Sequence, residues 1–210
     1  MQTTHEKILK SIEPVIKEPK YVRVNEKKLD ELAKRMKDEP VPPWNNHLQF
    51  KATPEETLQY YFFIDSINFC FWQLKGRERW AYQIDGTWTS GYYAYAFAIK
   101  QAFQNNSKLF DAVYCADLSF TEFLDIFDGK NQLLLLEERY NIIQENFKIL
   151  DEKFDGSVDK LVRSAKQDAN TLVESVIKHF PTFRDIAEYK KKKVYFLKRA
   201  QIFVSDISFA

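Results

Sequence analysis

The sequence predicts a mainly α, single-domain chain with one small β-hairpin, on three observations. Only five glycines occur in 210 residues, few for a β-rich protein that would need them at its turns. Apolar residues recur at helical spacing along most of the chain. Strand-like composition is local, clearest on either side of Asp85-Gly86.

In chain order, Thr3 and Glu6 form a capping-box pattern ahead of Ile8, Leu9, Ile12, Val15 and Ile16. Asn25 can cap a second helix carrying Leu29, Leu32, Ala33 and Met36, after which Pro40, Pro42 and Pro43 force an extended link. Residues 1–43 thus read as N-terminal helices and a Pro-rich link, and 44–210 as the helical domain. Thr53-Pro54-Glu55-Glu56 is the strongest start signal, with an N-cap, Pro at the first helical position and carboxylates in the first turn. It opens a helix expected to run to about Trp72. Arg79 to Thr89 reads as a hairpin with a type I′ turn at Asp85-Gly86. Tyr92, Tyr95, Ala96, Ile99 and Phe103 then form a helical stripe. A further helix is expected from about Asn131 to Lys153, with a heptad-like seam of Leu133, Leu136, Tyr140, Ile143, Phe147 and Leu150. Leu134, Leu135, Ile142 and Ile149 widen that seam, which favours a core helix over a coiled coil. Ser157 to Phe180 reads as one helix or two stacked ones, ended by Pro181. Val194 to Leu197 is a strand or leads into a final helix from about Lys198.

Composition bounds the function. Lys+Arg 31 against Asp+Glu 30 gives a net charge of +1, which argues against a strong global field for nucleic acid or an anionic membrane. An aromatic content of 16% excludes intrinsic disorder. Cys70 and Cys115 lie in apolar stretches and read as buried free thiols of a reducing compartment. No signal peptide, spanning segment, zinc motif or glycine-rich phosphate loop is present, so the chain reads as cytoplasmic.

The main chemical anomaly is Asp65 with Asn68, set in the apolar stripe of Leu58, Tyr61, Phe62, Phe69 and Trp72. A carboxylate there costs several kcal/mol unless it is paired or hydrogen-bonded. The pair is either a satisfied core bridge or the polar part of a ligand pocket. In the second case Asp65 and Asn68 read the edge of a heterocyclic base and Phe69 or Trp72 stacks on its face. His47, in Trp44-Asn45-Asn46-His47, reads from its residues alone as an exposed loop histidine. The run Lys190–Lys193 reads as a solvated loop. Lys198 and Arg199 instead interrupt an apolar stretch at the start of an element, which suits a single phosphate at a helix N-terminus.

Taken in order, the pieces resemble the queuosine salvage proteins, which are queuosine 5′-phosphate N-glycosylase/hydrolases. The likeness rests on Asp65-Ser66-Ile67-Asn68-Phe69-Cys70-Phe71-Trp72, Ser90-Gly91-Tyr92 and Glu137-Glu138-Arg139. It continues in Phe180-Pro181-Thr182-Phe183-Arg184-Asp185 and Lys198-Arg199-Ala200-Gln201-Ile202. The first motif is long enough to be specific. The resemblance implies a helical fold similar to DNA glycosylases and hydrolysis of the N-glycosidic bond of queuosine 5′-monophosphate, releasing queuine for tRNA, with no metal or organic cofactor. It implies substrate contacts at His47, Asp65, Asn68, Phe69, Trp72, Ser90 and Tyr92, and phosphate contacts at Lys198 and Arg199. It implies neither direct nucleic-acid nor membrane binding. The family's catalytic aspartate lies in an Ala-Asp-Tyr-Arg-like stretch beyond the position of Ala210. The resemblance therefore implies a fragment, or a partner half supplied in trans, with the apolar element Ala200 to Val204 left bare on one side.

Overall fold

The computed structural model describes residues 4–17, 19–40 and 47–208. Two helices lead. α1 (Thr4–Lys17) lies across the C-terminal region, where the Ser11 hydroxyl accepts from the Tyr195 amide at 3.0 Å. α2 (Glu26–Met36) is capped by Asn25, whose side chain accepts from Lys28 N at 3.0 Å. Every residue of α2 is exposed, so the predicted stripe of Leu29, Leu32 and Met36 meets no core among the described residues. Thr3 and residues 41–46 lie outside the described residues, and with them the first capping position and most of the Pro-rich link.

α3 (Pro54–Ser66) is the axis of the molecule. Its start follows the sequence reading: Thr53 Oγ1 accepts from Glu56 N, and the Glu56 carboxylate accepts from Thr53 N. Tyr60 to Ser66 are buried without interruption, so the helix is enclosed on all sides rather than lying on the core with one stripe. It ends at Ser66, short of the predicted Trp72, and the chain continues without regular structure to the hairpin.

β1 (Ala81–Ile84) and β2 (Thr87–Ser90) pair antiparallel with Ile84 opposite Thr87. Asp85 and Gly86 both take positive φ, +48° and +78°, as a type I′ turn requires. Ala81 also bridges to Lys130, and Gly129 beside it has no room for a side chain, because a Cβ would run into the Ala81 carbonyl. α4 (Tyr92–Asn105), α5 (Ala112–Ala116) and α6 (Phe120–Ile126) follow.

α7 (Leu136–Phe154) starts five residues later than predicted, after a left-handed Leu135, and buries Leu136, Ile143, Phe147 and Leu150 in the core. Ser157 to Phe180 is two helices, α8 (Val158–Ser164) and α9 (Ala169–His179), divided at the left-handed Lys166 and Gln167. A second hairpin, β3 (Ile186–Tyr189) with β4 (Lys192–Tyr195), was not expected; it turns on Lys190 and Lys191, so the lysine run is a hairpin tip and its return strand. α10 (Lys198–Ile207) packs on α3 and α9 with Ala200 and Phe203 buried and Ile202, Val204 and Ile207 half-buried. The described part of α10 is therefore largely covered, and the exposed apolar side chain beside it is Phe196.

The core is aromatic. Phe62 meets Phe147, Phe180, Phe183 and Phe203 at ring distances of 5.1–5.8 Å, joining α3, α7 and α10. Contacts of this kind add to the hydrophobic term when rings meet edge to face. No helix among the described residues is long and apolar enough to cross a membrane.

Candidate functional site

The site begins where α3 stops. The last carbonyls of a helix have no partner within it; here Arg199 takes that of Ser66, and Arg139 takes those of the residues just beyond the helix. Arg139, on α7 and fully buried, donates to the carbonyls of Leu134 (3.0 Å), Ile67, Phe69 and Cys70 (3.1 Å for the last). Arg199, on α10, donates to Ser66 O at 2.6 Å and to Thr182 O. Its guanidinium also holds the Asp185 carboxylate at 2.7–2.9 Å, and the other oxygen of that carboxylate accepts from Arg199 N at 2.7 Å. The carbonyls of residues 66, 67, 69 and 70 are thus committed to side chains from two other helices. That fixes the segment out of helix and sets the Phe69 ring against both cations, 4.3 Å from Arg139 and 5.0 Å from Arg199.

Asp65 lies one residue before this clamp, with no exposed surface. Its Oδ1 accepts from Asn68 Nδ2 at 3.3 Å, and its Oδ2 has no partner among the described residues. Burial, and then the charge of Asp206, push its carboxyl well above the usual range, while Asn68 opposes the shift. Asp206 sits on α10 seven residues after Arg199, so the two share a face of the helix. Burial raises its carboxyl to about 6.

Above the pair runs a chain of fixed polarity. Tyr61 Oη donates to Gln49 Oε1 at 2.6 Å, and Gln49 Nε2 donates to Tyr92 Oη at 2.9 Å. Tyr92, half-buried, responds to both Asp65 and Asp206, and burial and those charges push its hydroxyl above its ordinary value. Phe71 and Tyr95 close the wall, 5.0 Å apart.

The structure brings Asp65, Asn68, Phe69 and Tyr92 together and leaves the other expected contacts outside. His47 is on the far side of α4: its ring pairs with Asp85 at 3.1 Å and lies 6.1 Å from the Phe97 ring, and its carbonyl accepts from Lys100. Trp72 is 66% exposed, off the wall that a continued helix would have placed it on. Ser90 is exposed at the end of β2. Lys198 and Arg199 diverge: Arg199 is turned inward and saturated, whereas Lys198 borders an open hollow of about 440 Å³ with Phe196, Gln201 and Ile202. The two side chains thus point apart, Arg199 onto Asp185 and the carbonyls of Ser66 and Thr182, Lys198 toward that hollow. Cys70, expected to be buried, is half-buried with φ +54°. A hollow of about 600 Å³ ahead of α7 is lined by Gln73, Arg77, Phe120 and Leu133 to Leu135 among others, with no buried ionisable group. The fully enclosed carboxyl lies instead at Asp65. Asp206, Gln49 and Tyr61 escaped the sequence reading, although the seven-residue spacing from Arg199 to Asp206 was a readable signal.

Residues 46–210 match the family model described as queuosine salvage protein. The chain belongs to that family. Among its relatives, the queuosine 5′-phosphate N-glycosylase/hydrolase of Sphaerobacter thermophilus is 37% identical over 166 residues, 79% of this chain and 50% of that protein. The protein of the same name from Mus musculus is 35% identical over 170 residues, again 79% of this chain and 50% of that protein. That of Dictyostelium discoideum is 37% identical over 153 residues, 73% and 43% respectively. The chain spans about half the length of these curated relatives.

In this member of the family, the stretches that carry the resemblance meet in space. Arg139 from Glu137-Glu138-Arg139 and Arg199 from Lys198-Arg199-Ala200 hold the segment after Asp65. Thr182 and Asp185, from Phe180 to Asp185, hold Arg199, and Tyr92 from Ser90-Gly91-Tyr92 faces the acids.

Proposed function

We propose that this chain acts in hydrolysis of the N-glycosidic bond of queuosine 5′-monophosphate, releasing queuine for return to tRNA in the cytoplasm. The observation that carries the reading is the enclosed Asp65 carboxyl, one oxygen on Asn68 and the other without a partner among the described residues, just ahead of the arginine-held segment that carries Phe69 and Phe71. A buried acid left unsatisfied is costly, and such strain is characteristic of functional sites. The relatives' names supply the substrate. In this reading Phe69 offers the stacking face, Asn68 and Tyr92 offer polar contacts to the base, and Lys198 offers the outward cation for the phosphate. Arg199 holds the loop that carries Phe69. His47, Trp72 and Ser90 would meet substrate only from the rim. Cleavage through an oxocarbenium-like transition state requires a carboxylate near the anomeric carbon and a positioned water, with base and phosphate held in place.

A second reading is that the chain binds the nucleotide without turnover, since Arg199 is committed to Asp185 and the backbone and no described carboxylate is shown at a ligand. One experiment separates them. Purified chain is incubated with queuosine 5′-monophosphate, free queuine is followed by chromatography, and binding is followed by calorimetry. Release above background supports the hydrolase, binding without release supports the second reading, and neither result overturns both.

A further inference from the structure

The two hairpins make the same turn from different residues. The first turns on Asp85-Gly86, a pair that takes positive φ readily. The second turns on Lys190 and Lys191, at φ +48° and +62°. A side chain with a Cβ is strained in that region, and Asn-Gly would relieve it. Lysine is kept there instead, and strain held where relief is easy points to use. The surroundings of the tip indicate which use. Tyr189 and Lys192 stand opposite each other across the strands, and with Lys190 they line a hollow of about 390 Å³ that Glu13, Pro14 and Lys17 of α1 complete. Glu13 is already paired with Lys17. Lys190, Lys191 and Lys192 are exposed, and Lys190 Nζ stands 5.5 Å from the centre of the Tyr189 ring. Lys193 stands opposite Glu188 on the other face of the hairpin.

Cations beside an aromatic ring are what sites for single-stranded nucleic acid combine: charge for the backbone and a π-face for the bases. An ammonium meets phosphate as a point charge, without the fixed fork of a guanidinium. An anionic bilayer would also attract lysines, but elements that lie on membranes bury an apolar face, and residues 189–193 offer only Tyr189. A carboxylate-rich peptide would leave the ring unused. We propose that the β3–β4 tip and the end of α1 form a docking site for single-stranded nucleic acid, with Lys190, Lys191 and Lys192 on backbone phosphates and Tyr189 stacked on a base. The site lies outside the hydrolase reading and does not depend on it. Neither the family resemblance nor the net charge of +1 implies it. Its field is local, screened within about 8 Å at physiological salt.

The test is fluorescence anisotropy of the full chain with a labelled oligoadenylate of about 12 nucleotides, an abasic strand of the same length and a polyglutamate of similar charge. The wild-type chain should bind oligoadenylate at least about 10-fold more tightly than polyglutamate, which cannot use the ring. Three phosphate contacts on a single strand give a salt slope near −2, so affinity should fall about 20-fold between about 50 and 200 mM salt. Lys190→Asn combined with Lys191→Gly relaxes the turn and should raise Tm by at least about 2 °C. It should also weaken oligoadenylate at least about 5-fold and bring the slope to about −0.7, one contact remaining. Because this variant is expected to fold at least as well as the wild type, lost binding is not lost structure. Tyr189→Leu should weaken oligoadenylate at least about 5-fold and leave the abasic strand within about 2-fold. Full affinity in the double variant, a Tm that falls in it, or equal loss of both strands in Tyr189→Leu overturns the assignment. So does a wild-type chain that binds polyglutamate or phosphatidylserine vesicles as tightly as oligoadenylate, or that binds neither strand.

Discussion

The two flanks of the segment after α3 hold it with the same side chain and opposite electrostatics. On the α7 flank, Arg139 is buried among backbone carbonyls and aromatic rings, with no carboxylate at ion-pair distance among the described residues. On the α10 flank, Arg199 is locked to Asp185, and Asp206 follows two turns later on the same face. Both helices begin after a left-handed leucine, Leu135 at φ +59° and Leu197 at φ +47°. A bulky side chain in that region marks local strain. The difference shows that a cation can be kept in a core by carbonyl dipoles and π-faces alone. It also shows that a carboxylate in direct contact with the buried guanidinium is a feature of the α10 flank, whereas Glu137 and Glu138 beside Arg139 are exposed.

The largest expected effect tests the acid-free flank. Arg139→Ala would orphan the carbonyls of Ile67, Phe69 and Cys70 and leave a large cavity. Losses of this kind run to about 3–5 kcal/mol, a large part of a typical domain's stability. Urea unfolding should show that loss, and Arg139→Lys should recover less than half of it, because an ammonium cannot span four carbonyls as a planar fork does. Full rescue by lysine would mean that charge, not the fork, holds the segment.

The acid-bearing flank gives the next effect. Asp185→Asn leaves Arg199 with carbonyls and one amide, close to the situation of Arg139. Removing one member of a largely buried, charge-assisted contact should cost about 1.5–3 kcal/mol by urea unfolding. A cost under about 0.5 kcal/mol would show that Asp185 adds nothing that carbonyls do not already supply, and the contrast between the flanks would lose its energetic meaning.

These two arginines also mark the limit of what the sequence could convey. The start of α3 was legible because Thr53, Pro54 and Glu56 act within one turn of one another, and the first hairpin because Asp85-Gly86 is a strong turn pair. The end of α3 was not, because the groups that stop it come from Arg139 and Arg199, 72 and 133 residues away. The other misplaced boundaries share a cause. The start of α7, the break between α8 and α9, and the second hairpin turn on Leu135, Lys166-Gln167 and Lys190-Lys191, all at positive φ. Such residues rarely take that region, and no glycine or asparagine announces it there. At the site, Asp65 and Asn68 stood out as polar residues on an apolar face that includes Phe69, and Tyr92 was named through the family resemblance. Asp206 did not, since an acid near the end of an exposed-looking helix is unremarkable until α3 is packed against it.

A smaller effect is expected in the pH dependence of stability, and it should belong to the α10 flank alone. The Asp206 carboxyl is raised to about 6 in the folded chain, against about 3.9 unfolded. Between these values the folded state holds more protons than the unfolded one, so this group's stabilisation is full below pH 4 and is lost as pH rises to about 6. With Asp206 still partly open to water, that loss should be on the order of 1 kcal/mol. Thermal unfolding from pH 4 to 7 in wild type and Asp206→Asn should isolate it. The variant should also begin to ionise Asp65 at lower pH, because the Asp206 charge is one of the two causes that raise it. Identical profiles in the two proteins would remove the acid pair from the account.

The smallest effect is expected just beyond both clamps, at Trp72. No arginine holds its carbonyl in the described structure, and its ring is two-thirds exposed. Trp72→Ala should therefore change unfolding free energy by no more than about 0.5 kcal/mol, as for surface substitutions away from caps and packed contacts. Phe69→Ala is the matched comparison inside the clamp. It removes the ring lying between Arg139 and Arg199 and should cost more, at least about 1–2 kcal/mol, since desolvated cation–π contacts are lost together with buried area. Affinity for queuosine 5′-monophosphate, measured on folded protein at a temperature where both variants are native, then separates stacking from support. If Phe69 is the stacking face, Phe69→Ala weakens binding and Trp72→Ala leaves it within about 2-fold. If Trp72→Ala proves the more damaging to binding, the exposed ring folds over the ligand, and the segment beyond the clamps, not the clamped one, supplies the stacking face.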